Sequence, residues 1–475
     1  MAEIKCPIWE ASQISPEEGF IVSPDGNLKF SEAEQLVTGT VERLAGFGWN
    51  TGDRVAVQMP NDWRCVILLF AMLRRGIVAC PIDWRVPAEG VEYLMDRCGA
   101  IALITHDEAS DMQVGGDRLV FPATKVIGLF SSGSSATGPA MLDLTRPATI
   151  IFTSGSCGEA KAVLHLVSNH YYNALGSNRN LRLRSKDRWL MSLPMHHVSG
   201  IGIVFRCCIA GAAIVFPDPA ESISDAMYLH DPTHVSMVAV QLRRFLRERE
   251  SWRGDRQLRA ILVGGGPVPP GVLAETVEAG LPVFMTYGLT EMASQVTTVG
   301  LDTPPFKRST SGRALRYGEV RIAKDGEIEV RGPSRFSGYV EGGDLVCPFD
   351  DDGWYATGDL GALDGEGFLT VHGRKDNMFV SGGENVYPEE IESVLCGMPG
   401  VEEAVVVAID DDEFGKCPAA FVKSKGNEFN AVEASAALEE KLPKFKIPNT
   451  WHPWPHEAGH NRLKIDRSLF QRLVK

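Results

Sequence analysis

The chain has 475 residues, 44% of them apolar and 23% charged, with a net charge of −14 from 47 basic and 61 acidic side chains. That is roughly three domains' worth of chain, or one large domain and a small one, with ample length for a buried core. The acidic balance argues against a nucleic-acid partner, the ordinary composition against disorder, and the ten cysteines have no CxxC or Cys/His metal spacing.

The N-terminal stretch MAEIKCPIWEASQ has no signal-peptide core. A helical pattern covers residues 31–46, opened by Ser31 and Glu34 in capping-box spacing. Short apolar runs at 54–59, 101–105, 149–153, 214–217 and 260–263 predict strands, and residues 62–73 predict a helix between two of them. The apolar run from Cys65 to Leu73 stops at Arg74 and Arg75, too short to span a bilayer. Alternation of strand and helix predicts an α/β fold with helices on the sheet faces. Residues 107–142, rich in Ser, Gly and Ala, read as surface loop. Cys207 and Cys208 sit in an apolar run and read as buried, reduced thiols.

The first chemical signal is TSGSCGEAK, residues 153–161. A strand enters a loop in which Gly155 and Gly158 allow backbone N–H groups to approach phosphates. Thr153, Ser154 and Ser156 add hydroxyl donors, and Lys161 follows. The spacing is not that of the Walker loop, and a Ser/Gly-rich turn is structurally neutral about half the time.

The second is TYGLTE, residues 286–291, at the end of an apolar run. Thr286, Tyr287, Gly288, Thr290 and Glu291 bring together a ring, a close-approach glycine, hydroxyls and a carboxylate suited to Mg²⁺. A buried tyrosine and a helix start explain it equally well.

The texture changes after about residue 305. GEVRIAKDGEIEV predicts a hairpin turning at Asp325–Gly326, and ALDGEGFLTVHG a second. Here lies the third signal, YATGDL (355–360), followed by GRKDNMFVSGGENVYPEEIE (373–392). Asp359 is placed to accept a ribose diol, and Gly382 and Gly383 permit close backbone approach. The last hundred residues read as a compact α/β unit, with helices at 388–395 and 431–441 and a strand at 401–409.

In this order the three signals resemble the adenylate-forming superfamily of acyl-CoA synthetases, luciferases and peptide-synthetase adenylation domains. SLPMHHVSGIGIVFR (192–206), LVGGGPVP (262–269), TYGLTEMASQ (286–295) and the tail RLKIDRSLFQRLVK are similar to the o-succinylbenzoate–CoA ligases of menaquinone and phylloquinone synthesis.

The resemblance implies a large N-terminal α/β domain with a β-rich subdomain, residues 1–375, and a small mobile α/β domain, 376–475. It implies activation of a carboxylic acid by ATP with Mg²⁺ and transfer to CoA. Lys464 is then the catalytic lysine, with Arg462 as the neighbouring candidate. Glu291 holds the metal, Asp359 and Arg374 the ribose, and Gly264, Gly265, Gly266 and Pro267 flank adenine with Tyr287. His197 lies between acyl pocket and CoA tunnel, Asp376 is the hinge, and Gly382 and Gly383 line the tunnel. Arg206, a charge in an apolar run, is assigned to the acid's second carboxylate with Ser294 and Gln295 sharing it, and an arginine that reaches the surface or pairs with a protein carboxylate explains the position equally well.

Two departures from the superfamily pattern are Cys157, where a threonine is usual, and Ala160, where a proline is usual. The readings carried alongside are an aryl- or fatty-acid–CoA ligase and a binder of adenylates without turnover. An amino-acid ligase feeding a carrier is disfavoured, because no carrier domain follows Lys475. The expected setting is the cytoplasm, with small-molecule partners, no nucleic acid, no membrane insertion, and self-association left open.

Overall fold

The computed structural model describes residues 3–107, 112, 114–115, 118–128, 138–154, 160–248, 258–424, 429–456 and 467–474. A large N-terminal domain is built on two sheets. One has eight strands, with Arg54–Gln58, Val78–Ile82 and Ala102–Thr105 running parallel at its centre. The other has nine, with a parallel run of His234–Met237, Ala260–Val263 and Val283–Leu289.

Helices Trp63–Arg75 and Val198–Ala210 share one hydrophobic core with residues of both sheets, and Phe70 meets Phe205 across it at 5.5 Å between ring centres. A helix apolar on every side can only be a core helix. Residues 65 to 73 are buried without a break, so Trp63–Arg75 meets that condition. Its ends carry their own signals: Asp62 accepts a hydrogen bond from the Arg64 N–H, and Gly76 turns left-handed at φ 69°.

Two predicted details are corrected. Helix Phe30–Gly46 begins one residue before the expected cap, and the Lys29 N–H donates to Glu32 Oε2 at 2.8 Å. Ser31 and Glu34 therefore do not cap it. Glu34 is instead bonded twice by the Arg74 guanidinium, at 2.8 and 2.5 Å, in a largely buried pair. The stretch 107–142 is not all loop. Leu119–Pro122 pairs with Ala102–Thr105 and leads into a short helix, Ala123–Val126, while Met141–Asp143 pairs with Glu3–Lys5. Residues 129–137 lie outside the described residues.

Both predicted hairpins form. Glu319–Ile322 pairs with Glu327–Arg331, and Tyr355–Leu363 with Leu369–Arg374, in one four-stranded antiparallel sheet. A small C-terminal α/β domain follows. Helices Pro388–Cys396 and Ala431–Glu439 pack on Val401–Asp411 and Gly415–Ser424 around a separate apolar core. Arg247 of the large domain approaches Glu402 of the small one at 3.6 Å, and Arg243 donates to the Glu402 carbonyl. Among the described residues no helix is long and apolar enough to cross a membrane.

The two N-terminal glutamates of helix Phe30–Gly46 should separate in urea unfolding. Removing one partner of a largely buried ion pair strands the other charge, so Glu34→Ala is expected to cost about 3 kcal/mol. Glu32→Ala removes only a cap, about 1 kcal/mol. Equal losses would contradict the reassignment.

Candidate active site

The first signal sits on an antiparallel hairpin, Pro147–Ser154 with Ala160–Leu166, in which Thr153 faces Lys161. Lys161 Nζ lies 4.9 Å from the centre of the Tyr339 ring. Gly155, Ser156, Cys157 and Gly158 lie outside the described residues, as do Arg462 and Lys464; Ser154 closes the strand.

The second signal forms the hairpin Val283–Leu289 with Ser294–Thr298, joined by the 3₁₀ turn Thr290–Met292. Gly288 is a glycine for a steric reason, since a Cβ there would lie 2.1 Å from the Ser294 carbonyl oxygen. The Thr286 hydroxyl donates to the Thr297 carbonyl at 2.7 Å, and the Thr290 carbonyl accepts from His165 Nε2 at 2.7 Å.

The Glu291 carboxylate accepts a hydrogen bond from the Tyr339 hydroxyl at 2.8 Å, and the Tyr355 hydroxyl lies 2.9 Å from that of Tyr339. Burial and the Glu291 charge push the Tyr339 phenol well above its ordinary range, so it stays a donor. One Glu291 oxygen is thus fixed, and the other has no partner among the described residues. A single oriented carboxylate completed by substrate phosphates suits Mg²⁺, which rarely takes an all-protein cage. Among the described residues no cluster of three metal-ligating side chains competes for it.

Asp359 collects the third signal. It accepts from the Tyr287 hydroxyl at 2.6 Å and from Arg374 Nη1 at 3.2 Å, Arg374 facing it across the strand pair. Arg374 also donates to the Thr357 carbonyl at 3.1 Å and to Asp376 at 3.3 Å. Burial raises the Asp359 carboxyl, and Tyr287 and Arg374 pull it back down without cancelling the rise. Tyr287 is itself buried, its hydroxyl committed to Asp359. Across the strand end, a Cβ on Gly264 would lie 2.7 Å from Thr286 Cγ2, which draws that loop against the hairpin. Gly265, Gly266 and Pro267 remain exposed beside it, with Gly265 at φ 82°.

Arg206 is 1% exposed. Its Nη2 donates to Ser294 Oγ at 3.1 Å, its guanidinium lies 5.3 Å from the centre of the Trp189 ring, and its Nε is buried without an acceptor. No carboxylate pairs with it among the described residues, and burial lowers it to about 10. Gln295 makes no hydrogen bond to it among the described residues: its amide nitrogen donates to Thr286 at 3.2 Å and Thr298 at 2.7 Å, and its amide oxygen is buried without a partner. His197 is exposed at the start of helix Val198–Ala210, its ring 4.4 Å from that of His196.

In the small domain, Gly382 and Gly383 take φ 57° and 89° in the two-residue turn between Phe379–Ser381 and Glu384–Val386. Asp376 is exposed just past the strand Leu369–Arg374.

The family described as AMP-binding enzyme matches residues 8–340, and its C-terminal domain matches residues 390–455. The chain belongs to the AMP-binding enzymes. It is 35% identical over 457 residues to a 2-succinylbenzoate–CoA ligase of Bacillus anthracis, with 93% of each chain covered. Two solved structures of the o-succinylbenzoate coenzyme A synthetase of Bacillus subtilis resemble it. One is in complex with the acyl-adenylate intermediate (30% identity, TM-score 0.85, 98% of this chain and 97% of that one covered). The other is in complex with ATP and magnesium ion (31%, TM-score 0.85, 95% and 96% covered). The mixed α/β fold and two-domain plan expected from the sequence are those of these enzymes.

Sequence reasoning assigned no role to Tyr339, Tyr355, Trp189 or His165. Tyr355 stands in the quoted YATGDL run, so its proximity was available; Tyr339 and Trp189 lie outside every motif and carry no local signal.

The Asp359 contacts fix the sign of a titration. A hydrogen bond to the ionised carboxylate favours that form, so Tyr287→Phe should move the Asp359 carboxyl further up. Carbon-13 NMR of the carboxyl, followed against pH in both proteins, reads this directly. An unmoved titration would mean that the Tyr287 hydroxyl does not hold the carboxylate.

Proposed function

We propose that the protein converts o-succinylbenzoate to its acyl-adenylate with ATP, releasing pyrophosphate, and then to o-succinylbenzoyl-CoA, releasing AMP. The observation that carries the acid assignment is Arg206, a fully buried guanidinium with one hydroxyl partner and no carboxylate among the described residues. A buried cation left in that state favours an anion brought by the ligand. The acid has a carboxylate to spare: the succinyl end reacts and the benzoate end is recognised.

In the first step a succinyl carboxylate oxygen attacks the α-phosphorus of ATP, and the bond to the β-phosphate oxygen breaks. Asp359 with Arg374 holds the ribose, and the Gly264–Pro267 ledge with Tyr287 flanks adenine. Glu291, fixed by Tyr339, would hold Mg²⁺, which neutralises phosphate charge when bound. Backbone and hydroxyl donors of residues 153–158, Lys161 and above all Lys464 take up the remaining charge. In the second step the CoA sulfur attacks the acyl carbon and the bond to AMP breaks. Residues 376–475 turn about Asp376 between the steps, so that Lys464 leaves and the Gly382–Gly383 turn lines the pantetheine path. His197 borders acyl pocket and tunnel as a spacer. We place the reaction in the cytoplasm, where ATP and CoA are at hand and the nine cysteines free among the described residues stay reduced.

Steady-state kinetics of Arg206→Gln tests the acid assignment. The KM for o-succinylbenzoate is expected to rise roughly ten- to a hundred-fold, as for loss of a charge-assisted bond, with the KM values for ATP and CoA nearly unchanged. An unchanged acid KM in a folded variant removes Arg206 from the pocket. Lys464→Ala should abolish adenylate formation while leaving thioester formation from supplied acyl-adenylate. Adenylation near the wild-type rate would move the catalytic role elsewhere, Arg462 first.

A further inference from the structure

Three buried side chains outside every motif form a chain of hydrogen bonds that ends beside Glu291. His165, Thr149 and His170 are each 2% exposed or less. His165 and Thr149 face each other across the hairpin that carries the phosphate-type loop. His165 Nε2 lies 2.7 Å from the Thr290 carbonyl oxygen, Thr149 Oγ1 lies 3.4 Å from His165 Nδ1, and His170 Nε2 lies 2.8 Å from Thr149 Oγ1.

The proton positions follow from the far end inward. A carbonyl oxygen only accepts, so His165 carries its proton on Nε2. Burial lowers His165 to about 4 and His170 well below its ordinary value, so both rings are neutral near pH 7. His165 Nδ1 is then an acceptor, and the Thr149 hydroxyl supplies its only proton there. That leaves the Thr149 oxygen to accept from His170 Nε2–H. The remaining His170 Nδ1 is a bare acceptor, buried with no partner among the described residues, its ring stacked on Phe205 at 5.1 Å. Every hydrogen bond of the chain points toward Thr290.

A packing role alone does not require this. Val163, two residues earlier on the same strand face, already packs in one apolar core with Met292 of the turn. What a leucine at 165 could not do is give the Thr290 carbonyl its second hydrogen bond, beside the one from the Ala293 N–H. Thr290 opens the three-residue turn on which Glu291 stands, and the backbone of that turn is otherwise held by three bonds among the described residues: Ala293 N–H to the Thr290 carbonyl, Phe336 N–H to the Glu291 carbonyl, and Asn173 Nδ2–H to the Met292 carbonyl at 3.0 Å. The Tyr339 bond then sets the end of the Glu291 side chain whose backbone His165 sets.

We propose that His165 is a positioning residue for Glu291. Supported by Thr149 and His170, it locks the Thr290–Met292 turn so that the free carboxylate oxygen faces the cation on the ATP phosphates. The proposal rests on Glu291 as the Mg²⁺-binding group. It assigns no proton transfer to His165.

The test compares His165→Leu, which keeps volume and loses both ring nitrogens, with His165→Gln, whose amide N–H can reach the Thr290 carbonyl. Thr149→Val serves as a milder third variant that leaves His165 in place. Calorimetry with Mg²⁺ and a non-hydrolysable ATP analogue reads the site without turnover, and pyrophosphate release reads the Mg²⁺ activation constant. His165→Leu is expected to weaken both about tenfold, the size of a lost buried hydrogen bond. His165→Gln should recover to within about threefold of wild type, and Thr149→Val should weaken Mg²⁺–analogue binding by about threefold. Wild-type affinity in a folded His165→Leu, or a glutamine variant as impaired as the leucine one, overturns the proposal. If His165→Leu does not fold, unchanged binding in Thr149→Val overturns it. Because calorimetry needs no acid, it decides the role of His165 even if o-succinylbenzoate proves not to be the substrate.

Discussion

Arg206 hangs in the core by one hydroxyl, Ser294 Oγ, and by the face of Trp189. A guanidinium withdrawn from water in this way destabilises the empty protein, and burial already lowers its affinity for its own proton. The surroundings hold it there regardless. Helix Val198–Ala210 is buried along nearly its whole length and cannot roll without exposing Ile203, Val204 and Phe205. Asn178 donates to the Arg206 carbonyl at 2.9 Å and ties that helix to its neighbour. Ser294 has a positive φ of 139°, an unusual setting for a serine that follows from the tight turn bringing the hydroxyl toward Arg206. Among the described residues the fold thus leaves that cation without a carboxylate at a fixed position, and in the proposed reaction a second carboxylate on the substrate supplies the missing charge.

The side assigned to the nucleotide is organised differently: its polar groups are tied to one another before any ligand arrives, with one Glu291 oxygen left open. Tyr287, Asp359, Arg374 and Asp376 form one connected series, and Glu291, Tyr339 and Tyr355 another. Both pass through the hairpin Val283–Leu289 with Ser294–Thr298, which also supplies Ser294 to Arg206. One short hairpin therefore sets the distance between the groups assigned to the metal, the ribose and the acid. Gly288 allows its two strands to meet, and His165 fixes the turn at its end. Preorganised donors and carboxylates of this kind favour a charged transition state because they need not reorient as charge moves.

Much of this was legible in the sequence because the residues act locally. TYGLTE, YATGDL and the SGGEN turn are runs in which neighbours along the chain are neighbours in space. Arg206 was legible for another reason: a charge inside an apolar run must be explained by something it meets. The rest depends on distant pairing. Tyr339 reaches Glu291 from 48 residues away, and His165 reaches Thr290 from 125, with no pattern in either segment to announce it. Gln295 was not separable from Ser294 by motif proximity, yet only Ser294 bonds Arg206 among the described residues, while the Gln295 amide is taken by Thr286 and Thr298. Glu34 fitted a capping box in spacing, yet the nearby buried Arg74 claims it more strongly than a helix end can. Composition misled in residues 107–142, where a polar text hides the strand Leu119–Pro122 at the sheet edge.

The central claim is that the protein recognises a carboxylate that does not react. It is tested most directly by comparing kcat/KM for o-succinylbenzoate with that for 4-oxo-4-phenylbutanoate, the same acid without the ring carboxylate, read as thioester mass with ATP, Mg²⁺ and CoA. A site that leaves a buried cation unpaired when the group is missing should favour the dicarboxylate by about a hundredfold. Equal efficiencies for the two acids would contradict the account.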